Sequence, residues 1–494
     1  MIAHALGDLI RGAIYVAIAA FAVALLVRAL ALPWWLPLLI ALVLVPGATS
    51  ILVAAGAGVI ARRRRLRDAL AGRAGGVLFD LPAWAMGLIS SAGRGDAGVV
   101  IGRGQGHRVA IPAGGASGSH TLVVGATGSG KTVTQALIAE RLIAAGLGAI
   151  AVDPKGDGEL RERLAGAAAE RGARFVEWTP DGPTIYNPYG SGSPDELADK
   201  ALAGEHFSEP HYLRQAQRYV GHAVRALHAA SVPVTPQTLL ANMTPAQLER
   251  TARDAPDAAA LNAYLDGLTE RQERELAGVR DRLAIVAEAE VGRWLEPAAG
   301  FEEVQLEQLA AERAVLYVRL DADRRPLVAQ MLGVALTVDL VSLVARHQGS
   351  PLHMAVLIDE FAAVAAEPVV RLFARGRAAG VSVVLGAQEI ADLQAAGRRL
   401  DAQVLGNVGA LVAHRQNTPD SAELLSRMAG EERYWQPTRH EKGLVPVSLQ
   451  SISRRRVERR RVSPDELRGL PVGRALVLVA GAAPRIVAVQ RPSG

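Results

Sequence analysis

The sequence contains no cysteine, and this absence excludes several kinds of chemistry. Without thiols the chain cannot form disulfides, hold a metal through thiolates or use a cysteine nucleophile. The chain also shows no internal repeat and no long tract typical of disorder. What remains is a chain of 494 residues, long enough for two or three domains, of which 50% are hydrophobic. That share is high for a purely soluble protein and suggests that part of the chain lies in lipid.

Two segments near the N-terminus almost lack charge. Residues 12–32 carry only Arg28, and residues 35–61 carry no charged side chain. Each segment exceeds the ~20 residues that cross the core of a bilayer. Neither segment has the polar stripe of a buried soluble helix. Because the link around Pro33–Pro37 is very short, the pattern predicts a tight transmembrane hairpin. A cleaved signal peptide is the alternative for the first segment.

Acidic residues are also scarce in this region. Residues 1–67 contain one acid, Asp8, and arginine at positions 11, 28, 62, 63, 64, 65 and 67. The arginine run directly follows the second apolar segment, and positive charge marks the cytoplasmic side of membrane spans. The pattern therefore predicts two spans with both termini in the cytoplasm. A nuclear-localisation or DNA-binding patch is the alternative reading of the run.

The hydropathy pattern divides the chain into five parts. A Gly-rich stretch with short β-like pieces leads into alternating apolar strands and helices, which roughly 100 residues of helical periodicity interrupt. Alternating strands and helices predict an α/β domain with a mostly parallel sheet. The predicted parts are the transmembrane hairpin with its basic stop (1–67), a β-rich lead-in (68–118), the first part of the α/β domain (119–192), an all-α insertion (193–300), and the second part of the α/β domain with C-terminal strands (301–494).

A complete phosphate-binding pattern, G-x-x-x-x-G-K-[ST], lies between a predicted strand at 120–124 and a predicted helix at 132–145. Its glycines allow backbone N–H groups to turn towards phosphate oxygens, and the start of the helix adds to the attraction. Lys131 is expected at the β- and γ-phosphates and Thr132 at Mg²⁺. The residues predicted to bind the nucleotide are Gly125, Ala126, Thr127, Gly128, Ser129, Gly130, Lys131 and Thr132. A chance Gly-rich turn is one alternative. A dinucleotide-binding fingerprint is the other, and the Lys–Thr pair argues against it.

Two adjacent acids follow the apolar strand predicted at 354–358. Asp359 is expected to orient Mg²⁺, mostly through water, and Glu360 to act as the general base that polarises the attacking water. Asp153, at the end of another predicted strand, is the alternative partner for Mg²⁺. Otherwise Asp153 and Lys155 shape the edge of the site. The combined pattern predicts a Mg²⁺-dependent ATPase.

Three further polar side chains are candidates for sensing the nucleotide. Gln388 follows the strand predicted at 382–385, where its amide could detect the γ-phosphate. Arg377 is a candidate arginine finger that acts on the nucleotide of a neighbouring subunit, and Arg415 is a second candidate. An ordinary strand-end glutamine and a helix-surface arginine are the alternatives.

The order of these features resembles the type IV coupling proteins of bacterial conjugation and type IV secretion, the TraG/TraD class within the FtsK/HerA-like ring ATPases. The features are the two spans, the phosphate-binding loop, the strand ending at Val152–Gly156, the helical insertion, Ile358–Ala362 and Gly376–Gln388. The resemblance implies a RecA-like motor domain that carries an all-α domain. It also implies a homo-hexamer around a central channel at the bacterial inner membrane.

By position, the resemblance also assigns roles to single residues. Lys131 and Thr132 match the P-loop pair, and Asp359–Glu360 match the Walker B pair. Arg377 and Gln388 match the arginine of the family and the glutamine eleven residues after it. The implied cofactors are ATP and Mg²⁺.

The partners implied by the resemblance are DNA, with single strands favoured, a relaxase or relaxosome, and the proteins of a type IV secretion channel. The link between the spans is far shorter than the periplasmic segment of many members, and no extended acidic tail is evident. Docking to a standard relaxase and channel therefore stays open. A double-stranded DNA translocase of FtsK type and a docking ATPase that recruits proteins are the alternatives. The basic runs 454–456 and 459–461 are either DNA contacts or solvated surface.

Overall fold

The structure, a computed structural model, describes residues 98–490 except 115–117, 205–206, 208, 365, 398 and 440–451. The predicted transmembrane hairpin and its basic stop, residues 1–67, lie outside the described residues. The strands are β1 Gly98–Gly104, β2 His107–Pro112, β3 Thr121–Val124, β4 Gly148–Asp153, β5 Phe175–Trp178, β6 Val315–Arg319, β7 Met354–Ile358, β8 Val381–Ala387, β9 Ala410–Ala413, β10 Glu431–Arg439, β11 Ile452–Arg460, β12 Arg474–Val479 and β13 Arg485–Val489.

The helices surround these strands. They are α1 Lys131–Ala144, α2 Gly158–Arg171, α3 Pro194–Leu202, α4 Pro210–Ala229, α5 Pro236–Ala241, α6 Pro245–Thr251, α7 Ala258–Asp266, α8 Glu270–Ala287, a 3₁₀ helix Glu290–Trp294, α9 Leu306–Glu312, α10 Pro326–Arg346, α11 Phe361–Val364, α12 Ala366–Gly376, α13 Ile390–Ala396, α14 Leu400–Asn407, α15 Pro419–Ala429 and α16 Pro464–Arg468.

Eleven of the strands form one sheet in the order β2-β1-β13-β12-β9-β3-β8-β7-β4-β6-β5. From β9 to β5 all neighbours are parallel, whereas β12, β13, β1 and β2 form an antiparallel flank. The predicted mostly parallel sheet is confirmed. Because parallel strands share one direction, the carboxyl ends of β3, β8, β7 and β4 meet side by side at one edge, and this edge positions the site.

The central strands are apolar throughout because helices cover both faces of the sheet. Every residue of β3, β4, β7 and β8 is buried. Successive side chains alternate between two cores: Leu122 and Val124 pack in one, and Val123 packs in the other with α1 and α2. The first core also contains apolar residues of α10 and of the helices from α11 to α16.

The helices α3 to α8 lie between β5 and β6 and pack around a third apolar core that contains Tyr219, Leu227 and Leu283. Capping boxes begin α3 and α8, where Ser193 and Thr269 accept from the backbone of the first turn. This segment falls where the all-α insertion is expected. The domain boundaries themselves stay a prediction.

Helix α10 is the one described helix that is long and apolar enough to cross a membrane, and 67% of its apolar window is buried inside the protein. It packs against the sheet as part of the first core. Near its middle, the carboxylate of Asp339 accepts a hydrogen bond from Tyr186 Oη at 2.5 Å and pairs with Lys200 of α3. The side chains of Lys200 and Asp339 are 2% and 6% exposed. This buried ion pair joins the helical segment to the sheet core.

Candidate nucleotide-binding site

The loop between β3 and α1 has the backbone shape of a phosphate-binding loop. Gly128 and Gly130 have φ angles of 74° and 103°, in the region that glycine adopts without strain. Gly130 directly precedes α1 and, as a glycine, has no side chain that could cap the first turn. The first N–H groups of α1 therefore have no partner inside the helix and point towards the loop. Such N–H groups, with the positive end of the helix, attract an anion.

The ends of neighbouring strands hold this loop in place. The backbone N–H of Gly125 donates to the carbonyl of Ala387 at 3.2 Å, at the end of β8. The N–H of Ala126 donates to the carbonyl of Arg415 at 3.0 Å, just after β9. The loop shape is thus fixed before any ligand arrives, which lowers the entropy that binding loses.

His414 lies behind the loop and is fully buried at the end of β9. Its Nδ1 donates to the carbonyl of Arg474 at 3.1 Å, and its Nε2 accepts from Thr134 Oγ1 at 2.8 Å. The carbonyl can only accept, so Nδ1 carries a proton, and the acceptor role of Nε2 belongs to the neutral form of the imidazole. Burial lowers the pKa of His414 to about 4. This side chain therefore acts as a fixed support for α1 and the loop.

His120, just before β3, is a second buried neutral histidine. Its Nε2 donates to the carbonyl of Phe373 at 2.9 Å, and its Nδ1 accepts from the N–H of Val383 at 3.3 Å. Burial lowers the pKa of His120 to about 4. The imidazole joins β3, β8 and α12 at the amino-terminal edge of the sheet, the edge opposite the loop.

The two histidines predict a loss of stability in mild acid. Each has a folded-state pKa of about 4 against an ordinary value of 6.5. The unfolded chain therefore takes up protons first, so stability is full above pH 6.5 and falls as the pH drops towards 4. The expected loss is about 3 kcal/mol for each histidine. Urea unfolding at a series of pH values measures it.

In the same series, His414→Gln should reduce the slope of stability against pH, because glutamine does not titrate. His228→Gln is the control, since this histidine of α4 is exposed. An unchanged slope in the His414 variant would contradict the assignment.

The end of β7 brings two carboxylates onto Lys131. The Nζ of Lys131 donates to Asp359 Oδ1 at 2.9 Å and to Glu360 Oε1 at 2.6 Å. Burial disfavours the charge of Lys131, but the two carboxylates outweigh it and raise its pKa. Lys131 is therefore a fully charged ammonium group at the mouth of an anion-binding loop.

Glu360 has an unusual backbone for a residue with a side chain, with a φ angle of 43°. Such a conformation costs of order 1–3 kcal/mol and is concentrated at functional sites. It holds Glu360 Oε1 at 3.1 Å from Lys155 Nζ and 3.2 Å from Gln388 Nε2. Burial opposes ionisation of Glu360, but Lys131 and Lys155 outweigh it and lower its pKa. The group is thus an ionised carboxylate able to orient water and accept a proton.

The structure brings four predicted site residues together: Lys131, Asp359, Glu360 and Gln388. Thr132 lies beside Lys131 in the first turn of α1 and is half-buried. Within the described residues no group of three or more His, Asp and Glu side chains could hold a metal by itself. Mg²⁺ usually takes only one or two protein oxygens and completes its shell with phosphates and water. The oxygen donors of Thr132 and Asp359 fit that requirement.

The structure gives Asp153 a role in shaping the loop after β4. Its carboxylate accepts from the backbone N–H groups of Lys155, Gly156 and Asp157 at 2.9, 2.9 and 2.5 Å. It also accepts from Tyr317 Oη at 2.7 Å. These four bonds use both oxygens of Asp153, which favours Asp359 as the acid for Mg²⁺.

Arg377 lies at the opposite edge of the sheet from the loop. It follows α12, is exposed, and donates to the backbone carbonyl of Asn407. The seven residues of β8 separate it from the carboxyl edge, so it does not reach the loop of its own chain. Arg415 lies at the loop instead, and its Nε is buried with no hydrogen-bond partner among the described residues.

Comparison with known proteins places this geometry in a family. Residues 109–490 match the family model described as the type IV secretion-system coupling protein DNA-binding domain. A comparison with curated protein sequences finds no match.

Several solved structures share the fold. The bacterial conjugative coupling protein TrwBdeltaN70, in its unbound form, has a TM-score of 0.62 and 17% identity over 82% of this chain and 91% of that chain. TrwB in complex with the GTP analogue GDPNP has a TM-score of 0.61 and 18% identity over 85% of this chain and 97% of that chain. TrwB in complex with ADP and Mg²⁺ has a TM-score of 0.58 and 17% identity over 76% of this chain and 87% of that chain. The family match covers most of the sequence, so this chain belongs to the type IV secretion-system coupling proteins.

Proposed function

We propose that this protein is a membrane-anchored ATPase that moves single-stranded DNA, alone or with bound protein, into a type IV secretion channel. The observation that carries the proposal is the buried ammonium of Lys131 held by Asp359 and Glu360 beside a preformed anion-binding loop. Family membership supports DNA and a secretion channel as the partners. The TrwB complexes with ADPNP and with ADP and Mg²⁺ support ATP and Mg²⁺ as the cofactors.

The roles of the side chains follow from their chemistry. Residues 125–132 bind the phosphates through backbone N–H groups, and Lys131 neutralises charge on the β- and γ-phosphates. Thr132 and Asp359 hold Mg²⁺, which when bound neutralises charge developing on the phosphate oxygens. Glu360 orients the attacking water and accepts its proton. The amide of Gln388 fixes the Glu360 carboxylate and couples it to β8.

A homo-hexamer would give Arg377 a role that it cannot have in a single chain. The residue is exposed at the amino-terminal edge of the sheet. In a ring it would face the nucleotide of the next subunit and act there as an arginine finger. The predicted hairpin in residues 1–61 would fix the ring to the inner face of the bacterial membrane, with a relaxase as the protein partner.

Helix α4 offers a surface for the phosphate backbone of DNA. Its 20 residues contain three arginines and three histidines and no acid. Arg214, Arg218 and Arg225 lie four and seven residues apart, which places them on one face of the helix. With Gln217 and Gly221 they line a cavity of about 260 Å³.

Two of these arginines are available to a ligand. Arg225 pairs at 3.4 Å with Asp195, which also lines the cavity, whereas Arg214 and Arg218 have no acidic partner among the described residues. The guanidinium of Arg218 lies 4.2 Å from the ring centre of Tyr264, on which His222 also stacks. Cationic groups beside stacked rings are typical of surfaces that bind single strands. This arrangement favours single-stranded DNA over a docked protein.

Replacing Arg214 and Arg218 together by alanine should weaken binding of a single-stranded oligonucleotide and its stimulation of ATP hydrolysis. Two lost phosphate contacts should reduce the slope of log affinity against log salt by about 1.4. Fluorescence anisotropy across a salt series and phosphate release, both with the full chain, measure these effects. The matched control replaces Arg271 and Arg274 of α8, which are 71% and 74% exposed and paired with acids of their own helix.

The same assay separates the alternatives for the substrate. Stimulation by duplex DNA alone would favour a double-stranded DNA translocase. Hydrolysis that no DNA stimulates would favour a docking ATPase that recruits proteins. The affinity for DNA could also fall as much in the Arg271 and Arg274 control as in the Arg214 and Arg218 variant. That result would show that DNA is attracted by the charge of the whole surface and not by a particular site.

A further inference from the structure

Gln135 is a buried polar side chain with unmet hydrogen bonds. It lies on α1 one turn after Lys131 and is 1% exposed. Neither its Oε1 nor its Nε2 has a hydrogen-bond partner among the described residues. A buried unpaired polar group costs about 1–3 kcal/mol, so it calls for a functional or structural reason.

The amide of Gln135 lies beside the carboxylate of Asp359. A Cβ atom on Gly386 of β8 would be 2.2 Å from Asp359 Oδ1 and 2.3 Å from Gln135 Nε2. Both atoms therefore lie directly over this glycine, where any side chain would displace them. The sheet leaves space at Gly386 that the two polar groups share.

The Asp359 carboxylate is paired with Lys131, which in the proposed function also binds the phosphates of the nucleotide. Its Oδ1 accepts from Lys131 Nζ at 2.9 Å and from the N–H of Glu360 at 2.9 Å. The Asp359 side chain is only 9% exposed. In the proposed function Lys131 turns to the phosphates, and a buried carboxylate that loses a charged partner needs a replacement.

We propose that Gln135 is a positioning residue for Asp359. Its Nε2 donates to the carboxylate when Lys131 leaves, and this bond keeps the carboxylate oriented as an oxygen donor for Mg²⁺. Hydrogen bonds of this kind behind a metal-binding group set the affinity for the metal. The inference rests on the proposed nucleotide site and adds a residue to it that lies outside the phosphate-binding pattern.

The test replaces Gln135 by methionine, which has similar length and no amide. Without nucleotide the variant should be at least as stable as the wild type, because an unpaired buried amide has been removed. Its affinity for ADP in EDTA should not change. Its affinity for Mg²⁺ in the presence of ADP should fall about 10- to 100-fold. Thermal unfolding and a Mg²⁺ titration with a fluorescent ADP analogue measure these quantities on the full chain.

Gln308→Met is the matched control. This glutamine of α9 is exposed, donates to Glu312 of the same helix, and is far from the phosphate-binding loop in sequence. Gln135→Asn keeps an amide that is one methylene short, and it should show the same loss of Mg²⁺ affinity. Wild-type Mg²⁺ affinity in both Gln135 variants would overturn the inference. So would a nucleotide-free methionine variant that is destabilised or does not fold, because Gln135 would then be structural. A wild-type chain that binds no ADP would instead contradict the proposed function.

Discussion

Lys131→Ala should lower ATP hydrolysis by at least about 10²–10³-fold, the effect of removing one preorganised electrostatic group from an active site. Lys131 is the buried cation of the site, and its Nζ lies 2.9 Å from Asp359 and 2.6 Å from Glu360. The alanine variant would leave the phosphates without this charge and the two carboxylates without their shared partner. Steady-state phosphate release with ATP and Mg²⁺ measures the loss, and gel filtration checks that the variant is folded.

Lys155→Ala is the matched control for this experiment. Lys155 also contacts Glu360, at 3.1 Å, but its side chain is 46% exposed. Solvent screens an exposed charge, so its removal should cost much less activity than removal of Lys131. Activity within tenfold of the wild type in Lys131→Ala would show that hydrolysis takes place elsewhere.

Lys200→Met should destabilise the folded chain by about 3–5 kcal/mol, since it leaves Asp339 buried without its counter-charge. The ammonium of Lys200 also donates to the carbonyls of Pro188 at 2.7 Å and Ser191 at 3.1 Å. These acceptors would lose their donor at the same time. The free energy of unfolding in urea measures the effect.

A double variant separates the ion pair from simple packing. Lys200→Met combined with Asp339→Leu removes both charges and should recover much of the lost stability. Arg225→Met is the surface control, because its partner Asp195 is 90% exposed. That change should cost less than about 1 kcal/mol. A double variant no more stable than Lys200→Met alone would contradict the assignment to an unpaired buried carboxylate.

The central sheet was predictable because its strands are continuous apolar runs. The strand predicted at 354–358 is β7, Met354–Ile358, and its burial on both faces is the reason for the pattern. The ribbon of β10 and β11 was not predicted. Its cross-strand pairs include Arg433 with Glu458 and Arg459 with Glu432, at 2.7 and 3.0 Å. Charged side chains dominate both strands and carry no apolar periodicity, so the pairing has no signature in hydropathy.

The candidate site divides in the same way. Motifs and strand ends were enough to predict Lys131, Asp359, Glu360 and Gln388. Each of these residues comes shortly after an apolar run that is recognisable as a strand in the sequence. The supporting role of His414 depends on β9 lying next to β3, and that neighbour order is a tertiary fact. Its position directly after an apolar strand was the available signal.

No sequence signal marks Gln135. A glutamine inside a helix has the same sequence context whether its side chain faces solvent or a carboxylate. The sequence showed that Gln135 follows Lys131 by one helical turn. It did not show that β8 presents a glycine at this point, which is what allows the amide and Asp359 to share one space.

The pairing of β1 with β13 has a consequence for how the chain folds. Gly102 faces Val489 across this pair, so the two partners lie 387 residues apart in sequence. The hairpin of β1 and β2 can form early from local contacts, but its attachment to the sheet must wait until β13 has been synthesised. Closing so long a loop slows assembly, because the entropy is lost before the contact is gained. Among the described strands, β1 and β2 are therefore synthesised first but join the sheet late.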